Sequence, residues 1–282
     1  MTKRRRIVIP VLLVLAALVA ALLLLSKYGL AVTRLSLEFD DLPRGFDGFK
    51  IVQLSDLHGS EFGRDNARLI KAVAQEEPDI IALTGDFLDE GKAGQELPAL
   101  EALVKELVKL APVYFVSGNH DWASGAAPEL FETLGAAGVN CLRNDFVYLE
   151  RGGDVLVLGG VDDPNGPYDQ KRPAQLVREI RQQYGKDAYI LMLSHRNDEL
   201  PLWAHMGVQT VLCGHGHGGI WRFPFVGGVF GTQRNLFPTH TAGFYSDNGA
   251  SVFVNRGLGN SPRVIPRILN RPQVAVITLE RG

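Results

Sequence analysis

Val113-Tyr114-Phe115-Val116-Ser117-Gly118-Asn119-His120-Asp121 joins a four-residue apolar run to a polar loop that carries Asn, His and Asp. The run is short, uncharged and rich in β-branched and aromatic residues, the pattern of a buried strand. The same join recurs along the chain. Residues 51–54 run into Asp56-Leu57-His58, residues 80–83 into Gly85-Asp86-Phe87-Leu88-Asp89, residues 190–193 into Ser194-His195, and residues 211–213 into Gly214-His215-Gly216-His217. In open sheets of this kind, ligands gather beyond the carboxyl ends of the strands. Five strands that each deliver Asp, Asn or His at that end therefore predict one shared pocket. Its mix of oxygen and imidazole donors suits Mn, Fe, Zn or Mg rather than a soft, thiolate-seeking metal.

Working outward, helical and strand patterns alternate. Strands are also expected at 35–39, at 147–149 and 155–158 as a hairpin through Gly152-Gly153, and at 251–255 and 274–279. Helices are expected at 66–74, 97–110, 128–137 and 174–183. In the second of these, Leu100, Leu103, Leu107 and Leu110 repeat at the spacing of one buried face. The pattern predicts a mixed α/β (α+β) protein, with two sheets packed together between helical layers.

The amino terminus stands apart. Lys3, Arg4, Arg5 and Arg6 precede an uncharged stretch, 7–26, made almost wholly of Val, Leu, Ala and Ile. That stretch is long enough to cross about 30 Å of hydrocarbon as one helix, with Pro10 near its start. A cleaved secretory signal carries a shorter apolar core, roughly 7–15 residues, so an uncleaved anchor is expected. Four basic residues before the span against Lys27 just after it predict a single-pass cell-membrane protein with its amino terminus cytoplasmic and its catalytic domain extracytoplasmic. Residues 1–27 are thus read as basic tip and transmembrane anchor, and 28–282 as one domain.

Of 29 basic residues, those five lie in the anchor region, leaving 24 against 31 acidic residues and a net charge of −7 for the outer domain. Nucleic acid, which calls for a basic footprint, is not an expected partner. Attraction for a phosphorylated substrate must instead come from metal ions. The two cysteines, Cys141 and Cys213, are expected as buried, unpaired thiols.

The ordered set Asp-x-His, Gly-Asp-x-x-Asp, Gly-Asn-His-Asp, a lone His after a strand, and Gly-His-x-His resembles the calcineurin-like metallophosphoesterase superfamily over residues 50–217. The tail Val254-Asn255-Arg256-Gly257-Leu258-Gly259-Asn260 resembles its membrane-anchored bacterial branch, which includes phosphodiesterases and lipid-precursor pyrophosphatases. The resemblance implies a four-layer αββα sandwich of two mixed sheets with two divalent metal ions at its centre. Mn is the first choice, with Fe, Zn or Mg as alternatives. It would place Asp56, His58 and His217 on one ion, Asn119, His195 and His215 on the other, and Asp86 between them. A carboxylate can span two cations about 3.5–4 Å apart, and Asn adds a neutral oxygen that preserves the site's positive field. The expected chemistry is attack on phosphorus by a hydroxide bridging the metals, with the same ions neutralising phosphoryl charge.

By the same resemblance, His120 protonates or hydrogen-bonds the leaving oxygen and Asp89 orients its ring, as a carboxylate on one imidazole nitrogen would. Asp121 is read as a loop cap, and His205 and His240 as packing or surface residues. Two positions depart from the branch. Ile220 stands where Gly-Gly-Gln would place its Gln, and Gln273 stands near the end where an acidic residue is usual. Arg222 is open to a phosphate contact or to a plain surface role. The aromatic stretch 221–230 is expected to pack against the second sheet, with an exposed lip at a bilayer surface as the alternative.

These readings converge on a membrane-tethered phosphoesterase acting on a phosphate ester or pyrophosphate in a small-molecule, lipid-linked or envelope substrate. The alternative is a catalytically silent metal-binding envelope ectodomain of the same fold. All seven ligand types and His120 are present, which favours the enzyme.

Overall fold

The computed structural model describes residues 3–260 and 265–282, with side chains from residue 9 onward in those ranges. Helix α1 (Lys3–Tyr28) extends past the expected span at both ends, so the basic cluster forms its first turn and Pro10 lies inside it. Its stretch Ile9–Tyr28 is long and apolar enough to cross a membrane, and its side chains are almost all exposed.

The remaining elements follow in order: β1 (Ala31–Phe39), β2 (Phe49–Leu54), α2 (Ala67–Ala74), β3 (Ile80–Thr84), α3 (Ala93–Leu107), β4 (Val113–Val116), α4 (Asn119–Ala123), α5 (Ala127–Ala136), β5 (Asn140–Cys141), β6 (Asp145–Arg151) and β7 (Asp154–Gly160). Then come α6 (Pro173–Tyr184), β8 (Ile190–Leu193), α7 (Leu200–Met206), β9 (Thr210–Cys213), β10 (Trp221–Phe223), β11 (Gly227–Phe230), β12 (Gly243–Asp247), β13 (Ala250–Val254) and β14 (Gln273–Arg281). The first sheet has the order β1-β14-β2-β3-β4-β5, the second β12-β13-β9-β8-β7-β6, and β10 with β11 forms a separate hairpin. Strands β2 to β5 run parallel, as do β7, β8, β9 and β13. Antiparallel partners make both sheets mixed.

Period-two alternation assigns each strand's faces. Ile51 in β2 joins Leu191, Leu193 and Leu212 of the opposite sheet in a core between the two sheets. Val52 and Leu54 point the other way, against Leu69, Leu103, Leu107 and Leu130 of α2, α3 and α5. On the second sheet, Ile190, Met192, Val211 and Cys213 pack under Leu176, Ile180 and Trp203 of α6 and α7. Strands buried on both faces read as continuous apolar runs, which is why the sequence marks them. The result is helices, sheet, sheet, helices.

Some boundaries differ from expectation. Helix α3 starts at Ala93 rather than 97 and ends at Leu107, leaving Leu110 half-buried in the following turn. Strand β1 begins at Ala31, four residues early, because it pairs in parallel with β14 along its whole length. The stretch 221–230 does not pack against the second sheet. It forms the β10–β11 hairpin, whose tip Phe223, Pro224, Phe225 and Val226 is exposed. Cys213 is buried and Cys141 half-buried, both free. Burial, with Asp162 nearby, pushes the Cys141 thiol up to about 12.

Candidate metal centre

Asp56, Asp86, His195 and His215 each sit two residues beyond the end of β2, β3, β8 and β9, and Asn119 three beyond β4. The carboxyl ends of parallel strands from both sheets therefore meet along one edge. Getting these side chains inward costs backbone strain. Asp56, His58, Asp86, His215 and His217 all adopt positive φ, between 45° and 63°. For residues other than Gly this left-handed region is sparsely populated, and it persists where surrounding structure enforces it. Gly85 relieves the tightest point. A Cβ there would stand 2.6 Å from the Gly118 nitrogen and 2.7 Å from His195 Nδ1.

The loops are pinned by Asp121. Its carboxylate accepts from the backbone N–H of Asp86 and Phe87 at 2.8 Å, Leu88 at 3.0 Å and Gly118 at 2.8 Å, the capping role read from the sequence. A second tie joins the sheets, where Gln53 Nε2 donates to the carbonyl of Cys213 at 3.0 Å and to Thr84 Oγ1 at 2.9 Å.

Three groups of donor atoms result among the described residues, each with its atoms within 4.8 Å of one another: Asp56, His58, Asp86 and His217; Asp86, His195 and His215; and His58, Asp89 and His120, whose Asp89 is taken up by a hydrogen bond to His58. Asp86 belongs to the first two. His58 Nε2 and His217 Nε2 are 3.3 Å apart, and His195 Nε2 and His215 Nδ1 are 3.2 Å apart. Two imidazole lone pairs do not tolerate such a distance, so each pair must share a proton or a cation. The buried oxygens Asp86 Oδ2 and Asn119 Oδ1 have no hydrogen-bond partner. His195 Nε2 comes to 3.0 Å of Asp86 Oδ2 as an ion pair. Orphaned buried oxygens beside converging imidazoles are what a divalent cation site requires. The residues present fit a pair of metal ions, and Asn119 Oδ1 is a further buried oxygen without a partner.

Charge balance agrees. Burial disfavours the charged ring of His195, yet the Asp86 carboxylate overrides it and lifts that ring up to about 10. Burial alone would raise Asp86, but His195 holds it well below the usual carboxylate range. Burial, helped by His195 and Arg196, pushes His215 down to about 3, and burial with His58 and Arg267 pushes His217 well below its usual value. The proton held between Asp86 and His195 occupies the charge that a cation would carry.

Each ligand-group imidazole has a close neighbour at its outer nitrogen, an acceptor for His58 and His195 and an arginine for His215 and His217. His58 Nδ1 meets Asp89 Oδ1 at 2.8 Å and His195 Nδ1 donates to the Thr84 carbonyl at 2.8 Å. Arg196 Nη1 lies 3.2 Å from His215 Nε2, and Arg267 Nη2 3.2 Å from His217 Nδ1. Arg196 is itself clamped on Asp163, at 2.6 and 3.0 Å. The acceptors facing His58 and His195 fix those rings in the way metal-ligating imidazoles are fixed, whereas an arginine only donates and can bond His215 Nε2 or His217 Nδ1 only while that nitrogen carries no proton. Sequence reasoning did not single out Arg196, Arg267 or Asp163. The one available signal was Asp162-Asp163 directly after β7, the same strand-end position that flags the ligands.

Asp89 is placed differently from its expected role. Its Oδ1 bonds His58 at 2.8 Å and lies 3.9 Å from His120 Nδ1, so its bonded partner is His58. His120 donates its backbone N–H to Asp86 Oδ1 at 2.7 Å, and its ring stands edge-on to His58, centroids 4.9 Å apart. The ring is about a quarter exposed, at the mouth with half-buried Asn119 and His215, and burial pushes its pKa down. His205 is exposed on α7, and His240 stacks edge-on against Tyr245 at 4.7 Å, both away from the donor groups. Ile220 is buried in the core, and Gln273 Oε1 accepts from the Arg256 backbone at 2.8 Å.

Comparison with known proteins agrees with this geometry. The family model described as calcineurin-like phosphoesterase matches residues 49–247. An uncharacterized metallophosphoesterase of Aquifex aeolicus is 30% identical over 268 residues, covering 94% of this chain and 98% of the relative. The phosphodiesterase YaeI of Escherichia coli is 28% identical over 236 residues, 82% of each chain. Among solved structures, the sulfate thiohydrolase SoxB of Thermus thermophilus superposes with a TM-score of 0.52 at 14% identity, over 85% of this chain and 57% of that one, a likeness of fold. With its metal-ligand cluster at the meeting of the two sheets, the chain belongs to the calcineurin-like phosphoesterase family and is a metal-dependent phosphoric ester hydrolase.

Proposed function

We propose that the chain hydrolyses phosphate ester or pyrophosphate bonds with two divalent cations, Mn first among them, while tethered to the cell membrane by α1. The observation that carries this reading is Asp86, shared by two of the donor groups and left with an unpartnered buried Oδ2. Asp56, His58, His217 and Asp86 would hold one ion; Asp86, Asn119, His195 and His215 the other. Bound there, a pair of ions supplies an acidified water as nucleophile and draws off phosphoryl charge.

The chain's own residues do the rest. Asp89 and the Thr84 carbonyl keep His58 and His195 in orientation. His120, at the mouth, would give a proton to the departing oxygen; burial lowers its pKa, which makes the imidazolium a stronger acid and a smaller fraction at neutral pH. Leu57, Phe87 and Leu88, beside the ligands, are buried in the core under α2, α3 and α5. The substrate is a phosphorylated small molecule or, given the tether, one linked to lipid or envelope.

The test is a turnover screen of the full chain, loaded with Mn, across nitrophenyl monoesters, nitrophenyl diesters and nucleotide-lipid pyrophosphates. Asn119→Ala and His215→Ala should each abolish turnover and reduce bound metal toward one ion. Full activity with one ion in either variant would defeat the two-metal reading.

A further inference from the structure

Outside α1, the segment from the β10–β11 hairpin to Phe237 carries several of the most exposed apolar residues. Phe225 at the tip of the β10–β11 hairpin is wholly exposed and Val226 beside it 59% exposed. Leu236 and Phe237 are 67% and 65% exposed. They belong to the same surface, because Leu236 bridges to Phe230 and the Phe237 N–H donates to the Val229 carbonyl at 2.9 Å. Contiguous apolar patches of this sort on a folded domain mark a contact surface, and aromatic side chains are favoured where that surface is a bilayer.

The patch is also wired to the end of α1. Trp221 bridges to Ile268 and the Arg222 N–H donates to the Ile268 carbonyl at 3.0 Å. The next residue, Leu269, donates its N–H to Ser26 Oγ of α1 at 3.0 Å, and Ser26 is buried there. The last carbonyls of the helix and its exit are held by the domain as well. Arg68 donates to Tyr28 at 3.2 Å, and Arg271 to Gly29 and Leu30, both at 2.7 Å. The helix therefore leaves the domain at a fixed place, next to the strand that carries the hairpin, and not on a slack linker.

Behind the hairpin, Arg222 and Arg256 line a cavity of about 380 Å³ that Leu35, Phe244 and Phe253 close on the apolar side. Neither arginine forms an ion pair with a carboxylate among the described residues. Burial, with Arg222 and Arg271 close by, pushes Arg256 down to about 10, the mark of a cation short of an anion. A phosphate headgroup is an anion that a bilayer supplies at that depth.

We propose that the β10–β11 hairpin and Leu236-Phe237 form a second bilayer-contact surface, which seats the aromatic tip among lipid beside the point where α1 enters the membrane. It rests on the reading of α1 as an anchor and not on the metals or the bond cleaved. The consequence for the site is direct. The Gly214–His217 loop runs straight into β10, and His215 shares a cavity of about 130 Å³ with Thr232, Gln233, Asn235 and Pro238 of the segment that carries Leu236-Phe237. The mouth of the metal centre therefore opens at the lipid surface, and the substrate class it favours is a phosphoester whose apolar part stays in the bilayer.

The experiment uses the full chain reconstituted in phosphatidylcholine–phosphatidylglycerol vesicles containing acyl-brominated phosphatidylcholine. Phe225→Trp should add tryptophan emission quenched at least twofold more than that added by Tyr148→Trp, an exposed position on β6 at the far edge of the second sheet. Equal quenching at the two positions overturns the proposal, as does a vesicle-borne dimer whose interface covers Phe225. A Phe225→Ser, Val226→Ser double variant should hydrolyse a soluble nitrophenyl diester within twofold of the parent, yet cleave a nitrophenyl-headgroup phospholipid in the vesicles at least fivefold more slowly. Equal rates on the vesicle lipid overturn the claim about substrate presentation. Absence of turnover on both substrates would count against the proposed function, while the quenching result still decides the docking.

Discussion

Asp89 Oδ1 lies 2.8 Å from His58 Nδ1 and 3.9 Å from His120 Nδ1, so Asp89→Asn acts first on His58. Loss of such an outer contact typically weakens metal binding about 10–100-fold. Titration of the variant with Mn should show that loss, with esters of good and poor leaving groups slowed alike. His120→Ala should instead retain both metals and slow esters with high-pKa leaving groups far more than nitrophenyl esters, since only the former need a proton at departure. Equal slowing would make His120 structural. A third outcome follows from His195, whose ring sits at about 10 without metal. Held that high, the ring must lose its proton to ligate, so metal uptake should release the His195 proton, with a further contribution from His58, which is raised, against burial, by Asp89 and Asp86, and the apparent affinity should rise with pH below that value. Calorimetry in buffers of different ionisation enthalpy counts the protons released. The residues brought together here were legible because metal chemistry admits few side-chain types and strand ends repeat. The arginines beside them were not, since Arg196 and Arg267 come next to His215 and His217 from 19 and 50 positions away, and nothing local marks an arginine as facing inward.

At the scale of elements, the loop after β3 and the start of α4 are one unit held by a single carboxylate. Asp121→Ala would leave four buried backbone N–H groups without acceptors, each costing about 1–3 kcal/mol. Asp121→Asn keeps an oxygen for Phe87 and Leu88, which share Oδ1, but turns an amide toward Asp86 and Gly118, which share Oδ2. Denaturant unfolding with metals chelated should therefore rank the parent above Asn above Ala, the Asn variant about 2–4 kcal/mol below the parent. An Asn variant as stable as the parent would mean that the loop keeps its shape by other means. Elements buried on both faces announced themselves in the sequence as unbroken apolar runs. Those that did not, β5, β12 and the β10–β11 hairpin, are short, lie at sheet edges or outside the sheets, and bury little of their surface. The hairpin shows the limit most clearly: an aromatic stretch reads as core until the fold shows that nothing covers Phe225.

For the whole molecule, the question is which side of the membrane carries the metal centre. The sandwich and its site do not answer it, because both are complete without α1. The answer rests on Lys3, Arg4, Arg5 and Arg6 against the lone Lys27 at the other end of the helix, since positive residues near a span are retained in the cytoplasm. The outer domain's net acidity adds little, because long translocated domains cross largely regardless of charge. Gly282 is exposed, so a reporter can follow it without touching the fold. Alkaline phosphatase fused there should be active in cells and a green fluorescent protein fused there dark. Replacing Lys3, Arg4, Arg5 and Arg6 by Gln should weaken that contrast, and adding Lys residues at positions 28 to 30 as well should reverse it. Fluorescence from the unmodified fusion would place the phosphoesterase domain in the cytoplasm and restrict its lipid substrates to the inner leaflet. The bilayer-contact surface would remain in force there, because it depends on where α1 leaves the domain and not on which leaflet it meets.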